Sequence, residues 1–369
     1  MMSDRICCIF NTPSLYRKLI YRRIDETFEC DWYFEDTDNQ LKEFSIDELK
    51  HADRRHAFKI GPFYWVKGLI SLLKNRNYSH YLMMGHSRNL TTLVFLFIKN
   101  IMYREKKVYL WTHGYYGKES LVERIYKKIL FKSSDALLVY GDYACKLMEK
   151  DGFSSSILYP IHNSLDYDTQ KKLRNELVSS SIYFDHFKNR FPTIIFIGRL
   201  NPVKRLDMLI RSVAALNADG RKCNLVIVGD GPEMANLTKL VNHHGIEKSV
   251  WFYGACYDEK ENAELIYNAD LCVAPGNIGL TAMHVMMFGC PAISHNKFPY
   301  QMPEFEAIRD GQTGTFYEYG SQDSLTESIW RWFTTENYDR EAIRQNCFGE
   351  IDRNWNPEYQ IEILKSVIR

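Results

Sequence analysis

Three cationic side chains, Arg199, Lys204 and Arg205, fall in the eight-residue stretch Gly198-Arg199-Leu200-Asn201-Pro202-Val203-Lys204-Arg205. The stretch follows a short apolar run, Thr193 to Ile197, and precedes a helical pattern. Cations beside a helix start suit a phosphate-bearing ligand, and a diphosphate most of all. The competing reading is a solvated basic turn. A second stretch, Pro275 to His284, reads PGNIGLTAMH. Its glycines let a backbone approach a ligand closely, and the helix start after Gly279 offers amide N–H groups. Two histidines follow apolar runs in the first half: His86 in Gly85-His86-Ser87-Arg88-Asn89, and His113 in Thr112-His113-Gly114-Tyr115. Either could hydrogen-bond a substrate, although a lone histidine is more often structural.

These residues need elements to hold them. Thr193–Ile197 is unbroken and rich in β-branched residues, as a strand buried on both faces requires. Leu206, Leu209, Ile210, Val213 and Ala214 recur at helical spacing, so one stripe faces that strand. The same strand-then-helix rhythm continues through Leu225–Val228 with Gly229-Asp230-Gly231-Pro232, then Val250–Tyr253 with Gly254-Ala255-Cys256-Tyr257, and Leu271–Ala274. Pro232 suits the first position of the next helix. In the first half, Ile6–Phe10, Tyr81–Met84, Val108–Trp111 and Ala136–Tyr140 read as strands, and Leu15–Ile24, Phe63–Leu73 and Leu121–Phe131 as helices. Leu325–Phe333 and Glu358–Ile368 read as helices near the end, residues 25–60 give no clear pattern, and Lys171–Arg190 reads as a polar bridge. Ligands of open α/β sheets bind outside the carboxyl ends of the strands, so the loops above belong on such edges.

The 369 residues allow two domains of ordinary size. The net charge of +1 is unevenly spread: residues 1–190 carry 30 Lys and Arg against 23 Asp and Glu, and the rest 17 against 23. The basic half could meet an anionic membrane surface, and nucleic acid is not an expected partner. Nine scattered cysteines without a C-x-x-C pair suggest reduced core residues, not disulfides or zinc. No signal peptide or spanning stretch is visible, so the expected location is the cytoplasm, extending to the inner face of the cell membrane.

The order apolar strand, Gly-Arg-Leu, Pro-x-Lys, Leu-x-x-Leu-Ile, followed by Val-Gly-Asp-Gly-Pro and the Pro275–Leu280 loop, resembles the retaining glycosyltransferases of family 4. That resemblance implies an α/β chain of GT-B type, with two Rossmann-like domains whose parallel sheets face an interdomain cleft. It puts an acceptor-side domain at residues 1–175, joined by a C-terminal helix at 357–369, and a nucleotide-sugar domain at 190–348. The implied activity is metal-independent hexosyl transfer, with retention, from a nucleotide-sugar to a saccharide or lipid-linked acceptor in cell-surface polysaccharide synthesis. UDP- or GDP-sugar is the expected donor; it is a substrate, and no cofactor is expected. By the same resemblance Arg199 and Lys204 hold the diphosphate and His113 reaches the transferred sugar. Gly198, Gly229, Tyr257, Asn277, Gly279, Leu280, Thr281, His284 and Glu304 complete the expected donor site.

Two departures stand out. The chain lacks the glycine-rich loop that many relatives carry after the first strand. The family also places a Glu at each end of its Glu-Gly-Phe-Gly-Leu motif, where this chain has Gly276 and His284. His284 could still hydrogen-bond a ribose hydroxyl, and Glu304 and Glu306 are candidates for the missing acid. With both glutamates gone, a nucleotide-sugar epimerase and a non-catalytic nucleotide-sugar-binding protein stand as alternatives.

Overall fold

The computed structural model of the chain describes residues 5–36, 42–335 and 339–368. Its residues form two compact units, Met1–Asp166 with Asn356–Arg369, and Tyr167–Trp355.

In the first unit the elements run β1 (Arg5–Phe10), α1 (Lys18–Thr27), β2 (Cys30–Asp36), β3 (Ala52–Ile60), β4 (Phe63–Val66), β5 (Tyr78–Met84), α2 (Leu90–Met102), β6 (Lys107–Thr112), α3 (Leu121–Lys132), β7 (Ala136–Val139), α4 (Asp142–Lys150) and β8 (Leu158–Pro160). The eight strands lie in the order β4-β3-β2-β1-β5-β6-β7-β8. All pairs are parallel except β3 with β4, so an antiparallel hairpin closes one edge. The sequence reading missed β2 and β3 and took 63–73 as one helix. Instead, β4 pairs along β3, and Gly68, at φ 83°, separates it from a short 3₁₀ turn at Ile70–Lys74. Leu96 of α2, Phe131 of α3 and Met148 of α4 pack in one cluster against the sheet. Ile20, Tyr21 and Ile24 of α1 pack in the other. The sheet is therefore covered on both faces, as parallel strands require.

The second unit runs α5 (Tyr167–Glu176), α6 (Ile182–Phe187), β9 (Thr193–Ile197), α7 (Leu206–Ala218), β10 (Asn224–Val228), α8 (Met234–His244), β11 (Val250–Gly254), α9 (Glu259–Asn268), β12 (Leu271–Val273), α10 (Thr281–Met287), β13 (Ala292–His295), β14 (Gly314–Tyr317), α11 (Gln322–Thr334) and α12 (Arg340–Asn354). Its six strands lie in the order β11-β10-β9-β12-β13-β14 and all pair in parallel. Residues read as a polar bridge are instead two helices of this unit. α5 is tied down by Arg174, which forms a bidentate pair with Asp352 at 3.0 and 2.8 Å. Pro232 precedes α8 by two residues and so lies before its N-cap, Glu233, not at its first position. The last helix, α13 (Pro357–Val367), belongs to the first unit, where it packs against α1 and buries Ile361 and Leu364 in the second core cluster.

Candidate functional site

The loops after β9, β10, β11 and β12 meet at the carboxyl edge of the second sheet, held by their own backbones. Gly198 N–H donates to Val228 O, Leu200 N–H to Asp230 O, and Gly229 N–H to Gly254 O. The contact is close enough to require glycine: a Cβ on Gly229 would fall 1.9 Å from Gly198 O.

Lys204 ends a short 3₁₀ turn, Pro202–Lys204, and its partly buried ammonium donates to Asn277 O at 2.7 Å and Asn277 Oδ1 at 3.0 Å. That accounts for two of three N–H donors, leaving one for a ligand. Burial lowers the Lys204 pKa, while Cys272 and Glu304 act in the opposite direction. Arg199 is exposed and makes no side-chain hydrogen bond or ion pair with a described residue. Arg205, the third cation, sits at φ 52° and is paired with Asp207 at 3.2 Å. Asn277 lies beside Ile278, whose N–H donates to Gln301 Oε1 at 3.0 Å. Gln301 also donates to Ser294 Oγ, which in turn donates to Gly276 O, so a buried polar chain fixes the loop from below.

The two departures from the family motif now have geometry. Gly276 cannot carry a side chain as the backbone stands: a Cβ there would meet Val203 O at 1.8 Å and Lys204 Cα at 2.8 Å. Gly276 N–H donates instead to Lys204 O. His284, on the seven-residue α10, places Nε2 2.9 Å from Glu259 Oε1, and Glu259 Oε1 also accepts from Gln170 Nε2 at 2.8 Å. Although burial raises the Glu259 pKa, bonds from His284 and Gln170 outweigh it and the net shift is downward. Glu259 and Gln170 are functional candidates that the sequence reading missed; only the position of Glu259 just after the Gly254–Tyr257 loop could have signalled it.

Of the other expected donor residues, Gly279 takes φ 54° and turns the chain into α10, whose N-cap is Leu280. Thr281 Oγ1 donates to Ile197 O at the end of β9. Tyr257 is 84% exposed. Glu304 is buried in the short turn Pro303–Ala307, and Glu306 lies in the same turn. Gly198, Arg199, Lys204, Gly229, Asn277, Gly279, Leu280 and Thr281 thus belong to one edge, with Tyr257 on a neighbouring loop.

In the first unit, His86 and His113 follow β5 and β6, and those loops are linked by Gly85 N–H to Trp111 O and Thr112 Oγ1 to Gly85 O. The His113 ring lies 4.5 Å from the Tyr140 ring and 5.7 Å from the Tyr116 ring. Burial, reinforced by Arg17, His86 and Lys127, lowers its pKa to about 3, so the ring is neutral at ordinary pH. Among the described residues, no group of three or more His, Cys, Asp or Glu side chains is placed to hold a metal ion, and no helix is long and apolar enough to cross a membrane.

Residues 182–347 match the family model described as Glycosyl transferases group 1. A curated relative, the alpha-D-kanosaminyltransferase of Streptomyces kanamyceticus, is 29% identical over 126 residues, which is 33% of this chain and 31% of that protein. The chain thus spans about a third of the length of that relative. Among solved structures, the apo lipopolysaccharide outer core galactosyltransferase WaaB superposes with a TM-score of 0.74 at 15% identity over 99% of both chains. HepE of Anabaena, crystallised with UDP, superposes with a TM-score of 0.72 at 14% identity over 99% of both chains. The fold is therefore that of the GT-B glycosyltransferases, an α/β architecture of two units built on mainly parallel sheets.

Proposed function

We propose that the chain transfers a hexosyl group from a nucleotide diphosphate sugar to a saccharide or lipid-linked acceptor, with retention, in the assembly of a cell-surface polysaccharide. The observation that carries this reading is the Lys204–Asn277 bridge: it joins the β9 and β12 loops and leaves the Lys204 ammonium one donor, with the unpaired Arg199 on the same edge. The match of this half of the chain to group 1 glycosyl transferases and the UDP held by HepE support the same reading.

The chemistry needs no protein nucleophile. The C1–O bond to the diphosphate breaks as the acceptor hydroxyl oxygen bonds to C1 from the same face, and the hydroxyl proton passes to the departing phosphate oxygen. Negative charge grows on the diphosphate, and fixed cations lower the barrier in proportion to that growth. Arg199 and Lys204 supply those cations, and the reading assigns no step to a metal. His113, uncharged, is proposed to hydrogen-bond the transferred sugar. The His284–Glu259 pair is proposed to meet the ribose, with Glu259 giving the carboxylate that position 284 lacks.

A peripheral contact with an anionic membrane is proposed for α3. Leu121, Val122, Ile125 and Ile129 stand exposed along it, with Lys128 and Lys132 beside them. An apolar stripe edged by lysines suits a lipid headgroup boundary.

Incubation with UDP-, GDP- and ADP-sugars, with and without a lipid-linked acceptor, tests the reading. Nucleotide release that depends on acceptor supports transfer. A changed sugar without acceptor indicates an epimerase, and binding without turnover a non-catalytic protein; either would overturn it.

A further inference from the structure

Arg17 follows β1, on the turn that leads into α1, and is only 4% exposed. Its guanidinium lies 5.3 Å from the ring centres of both Trp111 and Tyr140 and 5.9 Å from that of Tyr16, and its hydrogen-bond partners are the neutral groups Tyr21 Oη at 3.4 Å, Met84 Sδ at 3.5 Å and the Tyr16 hydroxyl. No described carboxylate is within ion-pair distance of it. A buried charge without a counter-charge is costly and rarely kept without a use.

The groups around it are also short of acceptors. Trp111, 1% exposed, has an indole Nε1–H with no hydrogen-bond partner, and His113 Nδ1 is buried and likewise unpartnered. The Tyr140 ring is close to both the Arg17 guanidinium and the uncharged His113 ring. The standing charges that act on His113 are those of Arg17 and Lys127, both positive. Lys127 is balanced by Glu119 at 2.9 Å and Glu123 at 3.2 Å, whereas Arg17 is balanced by nothing described. Trp111, His113 and Tyr140 stand where β6 and β7 end, and Arg17 reaches them from the turn between β1 and α1, so the cluster lies on the edge where open parallel sheets take their ligands.

We propose that this edge binds a phosphate group carried by the acceptor, with Arg17 as its main cation and Trp111 Nε1–H as a further donor, beside the His113 that faces the transferred sugar. The site lies wholly in the first unit and is distinct from the donor diphosphate site, which lies wholly in the second. Phosphate oxygens supply the acceptors that the cluster lacks, and an arginine suits them through paired N–H donors. The assignment to an acceptor rests on the transferase reading; the anion site itself does not.

Inorganic pyrophosphate is the first probe, titrated into the Arg199→Ala/Lys204→Ala double variant so that the donor site is weakened. Calorimetry is expected to show binding that persists in this background and falls about tenfold or more when Arg17→Gln is added. Binding already lost in the double variant, or unchanged by Arg17→Gln, overturns the site. In case Arg17→Gln fails to fold, the Trp111 indole N–H resonance, assigned with Trp111→Phe, is followed in the unaltered protein. It should move on addition of pyrophosphate, and a fixed resonance at saturation overturns the proposal.

Glucose 1-phosphate and a short prenyl diphosphate in detergent micelles then identify the source. Competition by either assigns the site to a soluble or a lipid-linked acceptor, and competition by neither overturns the acceptor role. UDP binding to the unaltered protein is measured alongside. Its absence counts against the donor reading alone, and UDP binding that is weakened by Arg17→Gln as strongly as pyrophosphate binding merges the two sites and overturns this proposal alone.

Discussion

His284 and Glu259 form a hydrogen-bonded pair at 2.9 Å that joins α10 to the first turn of α9. A carboxylate is therefore present beside position 284 although the helix itself does not supply it. Placing a glutamate there with His284→Glu would bring two carboxylates within hydrogen-bond distance, and like charges so placed repel. UDP affinity should fall about tenfold in that variant and recover in part in His284→Glu/Glu259→Gln. Equal affinity in the single variant, measured by calorimetry, would remove the pair from the nucleotide site.

Gly276→Ala tests the approach of the two donor loops. The added Cβ meets the Val203 carbonyl at 1.8 Å, so the loop carrying Lys204 must shift. A loss of about 2 kcal/mol or more in chemical denaturation is expected, together with weaker nucleotide binding. Wild-type stability would show that the loop yields freely.

Lys204→Ala should separate catalysis from folding. Two hydrogen bonds to Asn277 are lost, costing about 1–2 kcal/mol of stability, while turnover should fall about 100- to 1000-fold. If turnover falls only as far as the folded fraction does, Lys204 is structural.

Glu35 makes stability depend on pH. It is buried at the end of β2, and burial raises its pKa to about 7 against bonds from Tyr64 and Asn89 that lower it. Between the unfolded value near 4.5 and about 7, the unfolded chain ionises at this position while the folded protein keeps the proton. Stability from this group is thus full below the window and declines as pH rises through it, by on the order of 3 kcal/mol. Glu35→Gln should flatten the decline when denaturation midpoints are compared at pH 5 and pH 8.

Vesicle sedimentation tests α3. Ile125→Asp/Ile129→Asp should release the protein from anionic vesicles without altering its circular dichroism, because both side chains are exposed. Wild-type protein that stays in the supernatant with anionic and neutral vesicles alike would end the membrane proposal.

The donor half was the more legible in sequence, for a physical reason. Strands such as β9 and β10 are buried on both faces and read as unbroken apolar runs. β3, reading ADRRHAFKI, is largely exposed and leaves no such trace. The run 63–73 has helical spacing, yet pairing with β3 outweighs that local preference. The cations Arg199 and Lys204 were visible beside their glycines. Glu259, Gln301 and Arg17 were not, since each matters through partners brought near only by the fold: Glu259 and His284 are joined across 25 positions, and Arg17 meets Trp111 and Tyr140 from the turn before α1.

The first unit is closed by α13, which lies at the far end of the chain and covers α1 with Ile361 and Leu364. During synthesis, every residue of the second unit leaves the ribosome before that cover exists. The first unit is thus completed only after the second has been made, and Ile20 and Ile24 wait for α13 before they are fully shielded from water.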